Sequence, residues 1–157
     1  MSGHPSESVV DTLEQILRST GRYLFLRKVK PTSEPILQRE MFPVLKSAFP
    51  SLAKDWSIPH VAKTYKVDFA IPDLNALIEF KFCNSKHDWP RMLDEVFADI
   101  KGYAAAGPEW RHLYFVFYLT ERYTTPEEVA AEFLASECGA WKPIVVYGAA
   151  EPDKSAG

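Results

Sequence analysis

The feature that most constrains this chain is a pair of apolar-rich segments joined by a short turn. Residues 65–71 (YKVDFAI) and 76–82 (ALIEFKF) flank residues 72–75 (PDLN), which are typical turn formers. This pattern predicts a β-hairpin. If the hairpin closes symmetrically about Asp73 and Leu74, Asp68 lies directly opposite Glu79. The other predicted partners are Phe69 with Ile78, Ala70 with Leu77 and Ile71 with Ala76.

The two faces of such a hairpin follow from the alternation of side chains along a strand. One face is wholly apolar and is expected to be core: Val67, Phe69, Ile71, Ile78, Phe80 and Phe82. The other face presents two acids and two lysines: Lys66, Asp68, Glu79 and Lys81. Opposed carboxylates destabilise a sheet unless a positive charge lies between them. The hairpin therefore predicts a charged patch with a hydrophobic underside.

Two interpretations of this patch stay open on the residues alone. It is either a solvated face, on which each exposed acid–lysine pair contributes about 0–1 kcal/mol, or a site for a divalent cation. Hard cations such as Mg²⁺ prefer carboxylate and carbonyl oxygens, and the carbonyl of Phe80 offers one more oxygen beside Glu79. In the second case Lys81 orients a water molecule or stabilises charge that develops on a phosphate.

The order Asp68, ten residues, Glu79-Phe80-Lys81 resembles the PD-(D/E)XK nuclease superfamily, and its surroundings resemble the restriction-endonuclease-like subgroup. The two strands read Tyr65-Lys66-Val67-Asp68-Phe69 and Ile78-Glu79-Phe80-Lys81-Phe82. Glu34 and Gln38 precede them, as that subgroup's first-helix acid and glutamine do, and a helix and the aromatic strand 114–118 follow. The resemblance extends from about residue 33 to residue 133. Val67 stands in place of a proline, and the pI of about 5.8 is lower than that of strongly basic restriction enzymes.

The resemblance implies an α/β fold with a restriction-endonuclease-like core, in which a mixed β-sheet is flanked by helices in a single domain. It implies Mg²⁺-dependent hydrolysis of phosphodiester bonds, with Mn²⁺ able to substitute, and products with 5′-phosphate and 3′-hydroxyl ends. Asp68 and Glu79 would hold the metal ion, and Lys81 would position the attacking water. The low pI leaves a role for a partner subunit in binding duplex DNA.

Further residues are expected near this site. Glu34 and Gln38 share a helix face by their i, i+4 spacing and are preferred over Glu40, which lies off that face. Glu34 would complete the metal ligands. A polar stripe on the next predicted helix consists of Arg91, Glu95, Asp99 and Tyr103. It is either an exposed, salt-bridged face or, as the resemblance implies, a face that directs Asp99 or Tyr103 at the site.

Residues 22–30 (RYLFLRKVK) interleave basic and aromatic side chains. Cations bind phosphates and aromatic rings stack on bases, so this segment is a candidate nucleic-acid contact. The candidate residues, including one from the hairpin, are Arg22, Arg27, Lys28, Lys30 and Lys66. Amphipathic packing with solvated lysines is the open alternative. Residues 1–50 carry seven basic and five acidic side chains, whereas residues 121–157 carry three and seven. A polyanion is therefore expected to meet the N-terminal half.

The rest of the chain alternates helical and strand patterns. Residues 9–17 predict a helix that Gly21 ends. Ser33 predicts the N-cap of a second helix, with Pro35 in its first turn and Pro43 kinking or shortening it. That helix is expected to bury Leu37, Met41, Val44, Leu45 and Ala48. A helix at 88–106, a strand at 112–119, a helix opened by Thr125-Pro126 and a strand at 144–147 follow.

This order of helices, hairpin, helix, strand, helix and strand is typical of an α/β fold with a mixed sheet. The expected division has three parts. Residues 1–32 form an N-terminal helical extension packed on the core, residues 33–150 form the nuclease-like core, and residues 151–157 form a flexible tail.

Size, charge and cysteine count limit the class of protein. A chain of 157 residues, 46% hydrophobic, can bury one core without disulfides or zinc. Cys83 and Cys138 have no CxxC spacing, which favours a reducing compartment, and no apolar run suits a membrane span or a leader. A cytoplasmic location without membrane association is therefore expected. His60, His87 and His112 lack zinc spacing. The net charge of −3 argues against histone-like binding by bulk electrostatics.

Two classes of function follow from these features. The first is a Mg²⁺-dependent nuclease acting on nucleic acid, expected to be DNA, in restriction or anti-phage defence. The second is a nuclease-fold module that no longer cuts and serves as a nucleic-acid-binding or assembly subunit, although the intact set of Asp68, Glu79 and Lys81 argues against it. A structure-selective, junction-type nuclease is a variant of the first class. The chain is expected to act either as a homodimer or as a subunit of a larger defence complex.

Overall fold

A computed structural model describes residues 7–59 and 64–148 of the chain. His60 and the expected tail at 151–157 lie outside the described residues. The helices are α1 (Glu7–Arg18), α2 (Thr20–Leu26), α3 (Glu34–Ala48), α4 (Trp89–Tyr103) and α5 (Pro126–Ala135). The strands are β1 (Ala53–Pro59), β2 (Thr64–Ile71), β3 (Ala76–Cys83), β4 (His112–Leu119) and β5 (Trp141–Tyr147). None of the described helices is long and apolar enough to cross a bilayer.

The five strands form one mixed sheet in the order β1-β2-β3-β4-β5. The β1–β2 and β2–β3 pairs are antiparallel, whereas β3–β4 and β4–β5 are parallel. Parallel neighbours need crossover connections, and α4 and α5 supply them. This confirms the α/β class and the mixed sheet flanked by helices in one small domain.

Helices cover both faces of the sheet. On one face, leucines of the first three helices pack against Phe69, Ile78 and Phe80; these are Leu13, Leu17, Leu24, Leu37 and Leu45. On the other face, α4 and α5 pack against Phe115 and Phe117 of β4. β3 and β4 are therefore buried on both sides, which explains their nearly continuous apolar sequences.

The hairpin register predicted from symmetry is confirmed where the strands pair. Phe69 pairs with Ile78, Ala70 with Leu77 and Ile71 with Ala76. The turn is a single 3₁₀ turn at Pro72–Leu74, closed by Asn75 in the left-handed region with φ 52°. Asparagine is one of the few residues that adopt this conformation readily.

The prediction that Val67 shares a face with Phe69 is wrong. Phe69 packs on the α3 side, whereas Val67 packs on the α4 side. The paired residues of β1 show the same change of face. Lys54 lies over Phe42 of α3, whereas Trp56 packs on the α4 side. Between these two residues Asp55 has a left-handed φ of 51°, which breaks the strand's alternation.

Strand β1 is missing from the sequence-based prediction. Its sequence, AKDWSIP, alternates poorly, and of its seven residues only Ile58 is buried. Such a segment has little strand signal of its own, and β1 is an edge strand that pairs only with β2 among the described strands. Pairing with a remote partner, rather than local preference, decides its conformation.

Three helix predictions also need correction. Gly21 does not end a helix but lies within α2, where a β-carbon would come within 3.0 Å of the carbonyl oxygen of Tyr147. Helix α3 begins after Ser33 as predicted, but it continues past Pro43 to Ala48. Of its expected core residues, Val44 is only half-buried and Ala48 is exposed, because both lie at the side of the face that meets the sheet.

Candidate active site

The candidate site lies where β2 and β3 diverge. Their register ends at Phe69 and Ile78, and the next residues are Asp68 and Glu79. The backbone N–H of Asp68 donates to Oε1 of Glu79 at 2.7 Å, and the N–H of Phe80 donates to Oδ2 of Asp68 at 2.8 Å. Each carboxylate thus replaces a backbone acceptor of the opposite strand, which fixes both side chains in the gap between the strands rather than on a face.

Glu79 is almost fully enclosed, with 5% of its surface exposed. Its second oxygen, Oε2, accepts a hydrogen bond of 3.3 Å from the hydroxyl of Tyr103. Burial, and then the negative charge of Asp68, raise the pKa of Glu79 to about 9. The acid therefore holds a proton at neutral pH when no cation is bound beside it.

Asp68 is held by a residue of α3. Nε2 of Gln38 donates to Oδ1 of Asp68 at 2.9 Å. Burial raises the pKa of Asp68, although hydrogen bonds from Glu79, Phe80 and Gln38 and the charge of Lys81 act in the opposite direction. The charge of Asp68 in turn favours the protonated form of Glu79. This pair is oriented by three elements of the fold, β2, β3 and α3.

Lys81 lies among three acids. Its Nζ is 3.9 Å from Oε2 of Glu79, 3.9 Å from Oδ2 of Asp99 and 4.0 Å from Oε1 of Glu34. Burial alone would lower the pKa of Lys81, but the charges of these acids outweigh burial and the pKa is raised. The side chain is therefore favoured in its ammonium form, and it lies 16% exposed at the edge of the carboxylate pair.

The surrounding residues respond to the same charges. Burial raises the pKa of Glu34, and the positive charge of Lys81 partly offsets this increase. Burial and the negative charge of Glu79 raise the pKa of the Tyr103 hydroxyl, so it stays a hydrogen-bond donor. The structure thus brings together most of the predicted site: Glu34, Gln38, Asp68, Glu79, Phe80, Lys81, Asp99 and Tyr103.

Other predicted residues lie elsewhere. Glu40 pairs with Arg27 at 3.5 Å and with Arg39 at 3.9 Å. Lys66 is exposed on β2, and none of the hydrogen bonds or ion pairs among the described residues joins it to the acids of the site. The expected polar stripe on α4 is also split, because Tyr103 is buried while Arg91 is exposed and pairs with Asp88.

The basic segment 22–30 forms the end of α2 and the turn that follows. Arg27 lies over the ring of Tyr23 at 5.4 Å. Lys28 and Lys30 line a cleft of about 820 Å³ with Phe25 and Leu26, and the latter two side chains are 43% and 66% exposed. Arg22 is exposed on α2. A role for these residues in nucleic-acid binding stays a prediction.

The chemistry of the donors fits a hard divalent cation. Asp68, Glu79, Glu34 and the Phe80 carbonyl offer oxygens only, which Mg²⁺ and Mn²⁺ prefer. Two enclosed carboxylates that repel each other gain stability from a cation between them. Within residues 7–59 and 64–148, however, no three His, Cys, Asp or Glu side chains are already arranged around one point as metal ligands. Binding would therefore require these side chains to adjust.

Two basic residues near the site were not predicted from the sequence. Arg39 of α3 and Lys54 of β1 line a cleft of about 290 Å³ together with Gln38 and Asp68. Arg39 directly follows Gln38, but this adjacency alone does not indicate which side of the helix meets the site. Lys54 had no signal, since its strand was itself not predicted.

Comparison with known proteins gives one finding. A family model described as REase_DpnII-MboI matches residues 32–147, a range that includes every acid and lysine of the site. No curated protein and no solved structure matches the chain.

Proposed function

The chain belongs to the DpnII-MboI family of restriction endonucleases. On that premise we propose that it is a metal-dependent endonuclease that cuts DNA, with Asp68, Glu79 and Lys81 as its catalytic residues. One observation carries the proposal. The two carboxylates meet in the gap between β2 and β3, each fixed by the backbone of the other strand, with an ammonium group 3.9 Å away. Solvated ion pairs on a sheet surface do not account for such enclosure.

Asp68 and Glu79 would hold Mg²⁺, or Mn²⁺ in its place, with Glu34 and the Phe80 carbonyl as further oxygen donors. When bound, the cation supplies charge neutralisation at the scissile phosphate and lowers the pKa of a coordinated water. The shared proton of the carboxyl pair has to leave before both acids can serve as ligands. Gln38 and Tyr103 keep the two acids in position by donating hydrogen bonds to them.

Lys81 contributes a fixed positive charge beside the carboxylate pair. Its ammonium orients the attacking water and stabilises the negative charge that grows on the phosphate during in-line displacement. The acids around it favour its protonated form. The resemblance to PD-(D/E)XK nucleases implies products with 5′-phosphate and 3′-hydroxyl ends. We propose that this reaction serves restriction of foreign DNA in the cytoplasm, with the chain acting as a homodimer or within a larger complex.

The test is cleavage of plasmid, linear duplex and single-stranded DNA with Mg²⁺, Mn²⁺ or EDTA. Wild type is compared with Lys81→Ala and Asp68→Asn, and Lys101→Ala, which changes an exposed lysine on α4, is the matched control. We expect metal-dependent cutting in wild type and the control, and loss of at least a hundredfold in the two site variants.

Different failures would point to different alternatives. Full activity of Asp68→Asn would show that the site is wrongly assigned. No cutting of any substrate with either metal would favour the inactive binding or assembly module. Preference for branched over linear duplex DNA would identify the junction-type nuclease.

A further inference from the structure

The charge of the candidate site creates a difficulty for its substrate. Three acids, Glu34, Glu79 and Asp99, lie within 4.0 Å of Lys81, and Asp68 adjoins Glu79 as a fourth. Even with a divalent cation bound, the fully ionised group keeps one net negative charge. A phosphodiester carries another negative charge at every nucleotide, so it is repelled on approach. Positive side chains outside this group have to offset that repulsion.

Arg39 and Lys54 are placed to do so. They line the cleft of about 290 Å³ whose wall also includes Gln38 and Asp68, so the cleft opens directly beside one of the two carboxylates of the candidate site. The cleft is on the α3 side of the sheet and is bounded below by Phe42, whose ring stacks on Phe69 at 6.1 Å. Its floor is thus part of the packed core and does not depend on a loop.

Both cations keep their charge available for a ligand. Nζ of Lys54 lies 4.1 Å from the centre of the Phe42 ring, and none of the ion pairs among the described residues involves Lys54. The side chain of Arg39 is 73% exposed, and its ion pair with Glu40 is long, at 3.9 Å. Glu40 is in addition 3.5 Å from Arg27, so its charge is divided between two arginines.

The backbone explains why Lys54 is at this position. The left-handed Asp55 turns β1 so that Lys54 faces α3 while Trp56 faces α4. In a regular strand, by contrast, Lys54 and Trp56 would lie on the same face. The distortion therefore separates them and brings the lysine over the same cleft as Arg39.

We propose that Arg39 and Lys54 form a phosphate subsite that binds the DNA backbone next to the scissile phosphate. The proposal rests on the proposed function, because it takes DNA as the substrate of the adjacent site. Arginine binds phosphate oxygens in a forked geometry and lysine acts as a point charge. Contacts of this kind set the position of the strand and do not depend on base sequence.

The test measures DNA affinity against salt concentration. The parent is full-length Asp68→Asn in EDTA, so that no strand is cut, with a fluorescent duplex as the probe. The variant adds Arg39→Gln and Lys54→Gln, and the matched control adds Arg111→Gln and Lys101→Gln, which remove one exposed arginine and one exposed lysine elsewhere. We expect the slope of log K against log[KCl] to fall by about one for each cation lost from the subsite. The slope of the control variant should stay close to that of the parent.

A second variant separates charge from packing. Arg39→Lys with Lys54→Arg keeps both charges and should restore the parent slope. An unchanged slope in the glutamine variant, or a slope equally reduced in the charge-preserving variant with the fold intact by circular dichroism, would overturn the subsite.

The outcome is distinguishable from failure of the nuclease proposal. If the slope falls as expected but wild type cuts no DNA, the subsite stands and the nuclease does not. If wild type cuts DNA but the slope is unchanged, the nuclease stands and the subsite does not.

Discussion

At the scale of single residues, the candidate site buries ionisable groups at a cost in stability. Glu79 lies in the gap between two strands, beside another acid, with 5% of its surface exposed. Burying a carboxyl group there costs free energy unless it is protonated or paired with a cation. Replacing such a group is expected to stabilise the fold while removing activity, as is common for residues kept for function.

The first prediction concerns Glu79→Gln. The pKa of Glu79 is about 9 in the folded protein, above its unfolded value near 4.5. The folded state therefore holds the proton while the unfolded state releases it, so wild-type stability should fall as pH rises from about 4.5 to about 9. Gln mimics the protonated acid, so the variant should not lose stability in this pH range. Its free energy of unfolding at pH 7 should exceed that of wild type by an amount on the order of 1–3 kcal/mol.

Melting temperature against pH in EDTA measures this effect. The control is Glu132→Gln, which changes an exposed glutamate of α5. An equal dependence on pH in Glu79→Gln and wild type would show that this acid is not the origin of the effect. The same variant should lose DNA cleavage.

The second prediction concerns Tyr103→Phe, which removes the hydroxyl that donates to Oε2 of Glu79. That hydrogen bond favours the ionised acid, so its loss should raise the proton affinity of Glu79. We expect activity to fall about 10–100-fold and the acid limb of the pH–rate profile to move to higher pH.

Tyr114→Phe is the matched control, because its hydroxyl bonds Glu14 rather than a residue of the site. A drop in rate with no shift of the acid limb in Tyr103→Phe would indicate a role in packing and not in positioning Glu79.

At the scale of elements, close packing of α4 on β2 holds Tyr103 in place. Gly102 of α4 has no room for a side chain, because a β-carbon would overlap the ring of Tyr65 on β2. The Tyr65 ring contacts that of Tyr103 edge to face, with centres 5.7 Å apart. The glycine thus permits the approach by which the helix delivers its tyrosine to the site.

The third prediction is that Gly102→Ala destabilises the protein by about 1–3 kcal/mol and lowers activity, because the added methyl group forces Tyr65 and α4 apart. Chemical denaturation and cleavage rate are the measurements. The double variant Gly102→Ala with Tyr65→Ala removes the overlapping ring, so the cost of the alanine should be smaller in that background. Additive costs would contradict the proposed overlap.

At the scale of the whole molecule, the site joins elements that are distant in sequence, so a ligand bound there should stabilise the entire fold. Gln38 comes from α3, Asp68 from β2, Glu79 and Lys81 from β3, and Asp99 from α4. A cation that binds only the folded arrangement shifts the unfolding equilibrium by mass action.

The fourth prediction is therefore that Mn²⁺ or Mg²⁺ raises the melting temperature of wild type. A free metal concentration one hundred times the Kd should raise the free energy of unfolding by about 2.7 kcal/mol. Protons compete for the same carboxylates, so the shift should grow from acid to alkaline pH. Thermal unfolding with and without metal measures it. An equal shift in Asp68→Asn would place the cation elsewhere on the molecule.

Some of the fold could be predicted because its causes are local. The turn at residues 72–75 and the alternation around it determined the hairpin, whose register ends at Phe69 and Ile78, one residue before Asp68 and Glu79. Helix α3 after Ser33 and the aromatic strand β4 carry their own capping and burial patterns. Resemblance to a nuclease superfamily then supplied the reason to regard these acids and Lys81 as one site.

What the sequence by itself determined is thus the pair of acids and the lysine that follows them, because strand pairing across a short turn depends on neighbouring residues. Only the tertiary structure decided which residues surround them. The change of face between Phe69 and Val67, the edge strand that carries Lys54, and the approach of Asp99 to Lys81 all depend on contacts between remote segments. Such contacts are set by packing of whole helices and strands, and no local pattern records them.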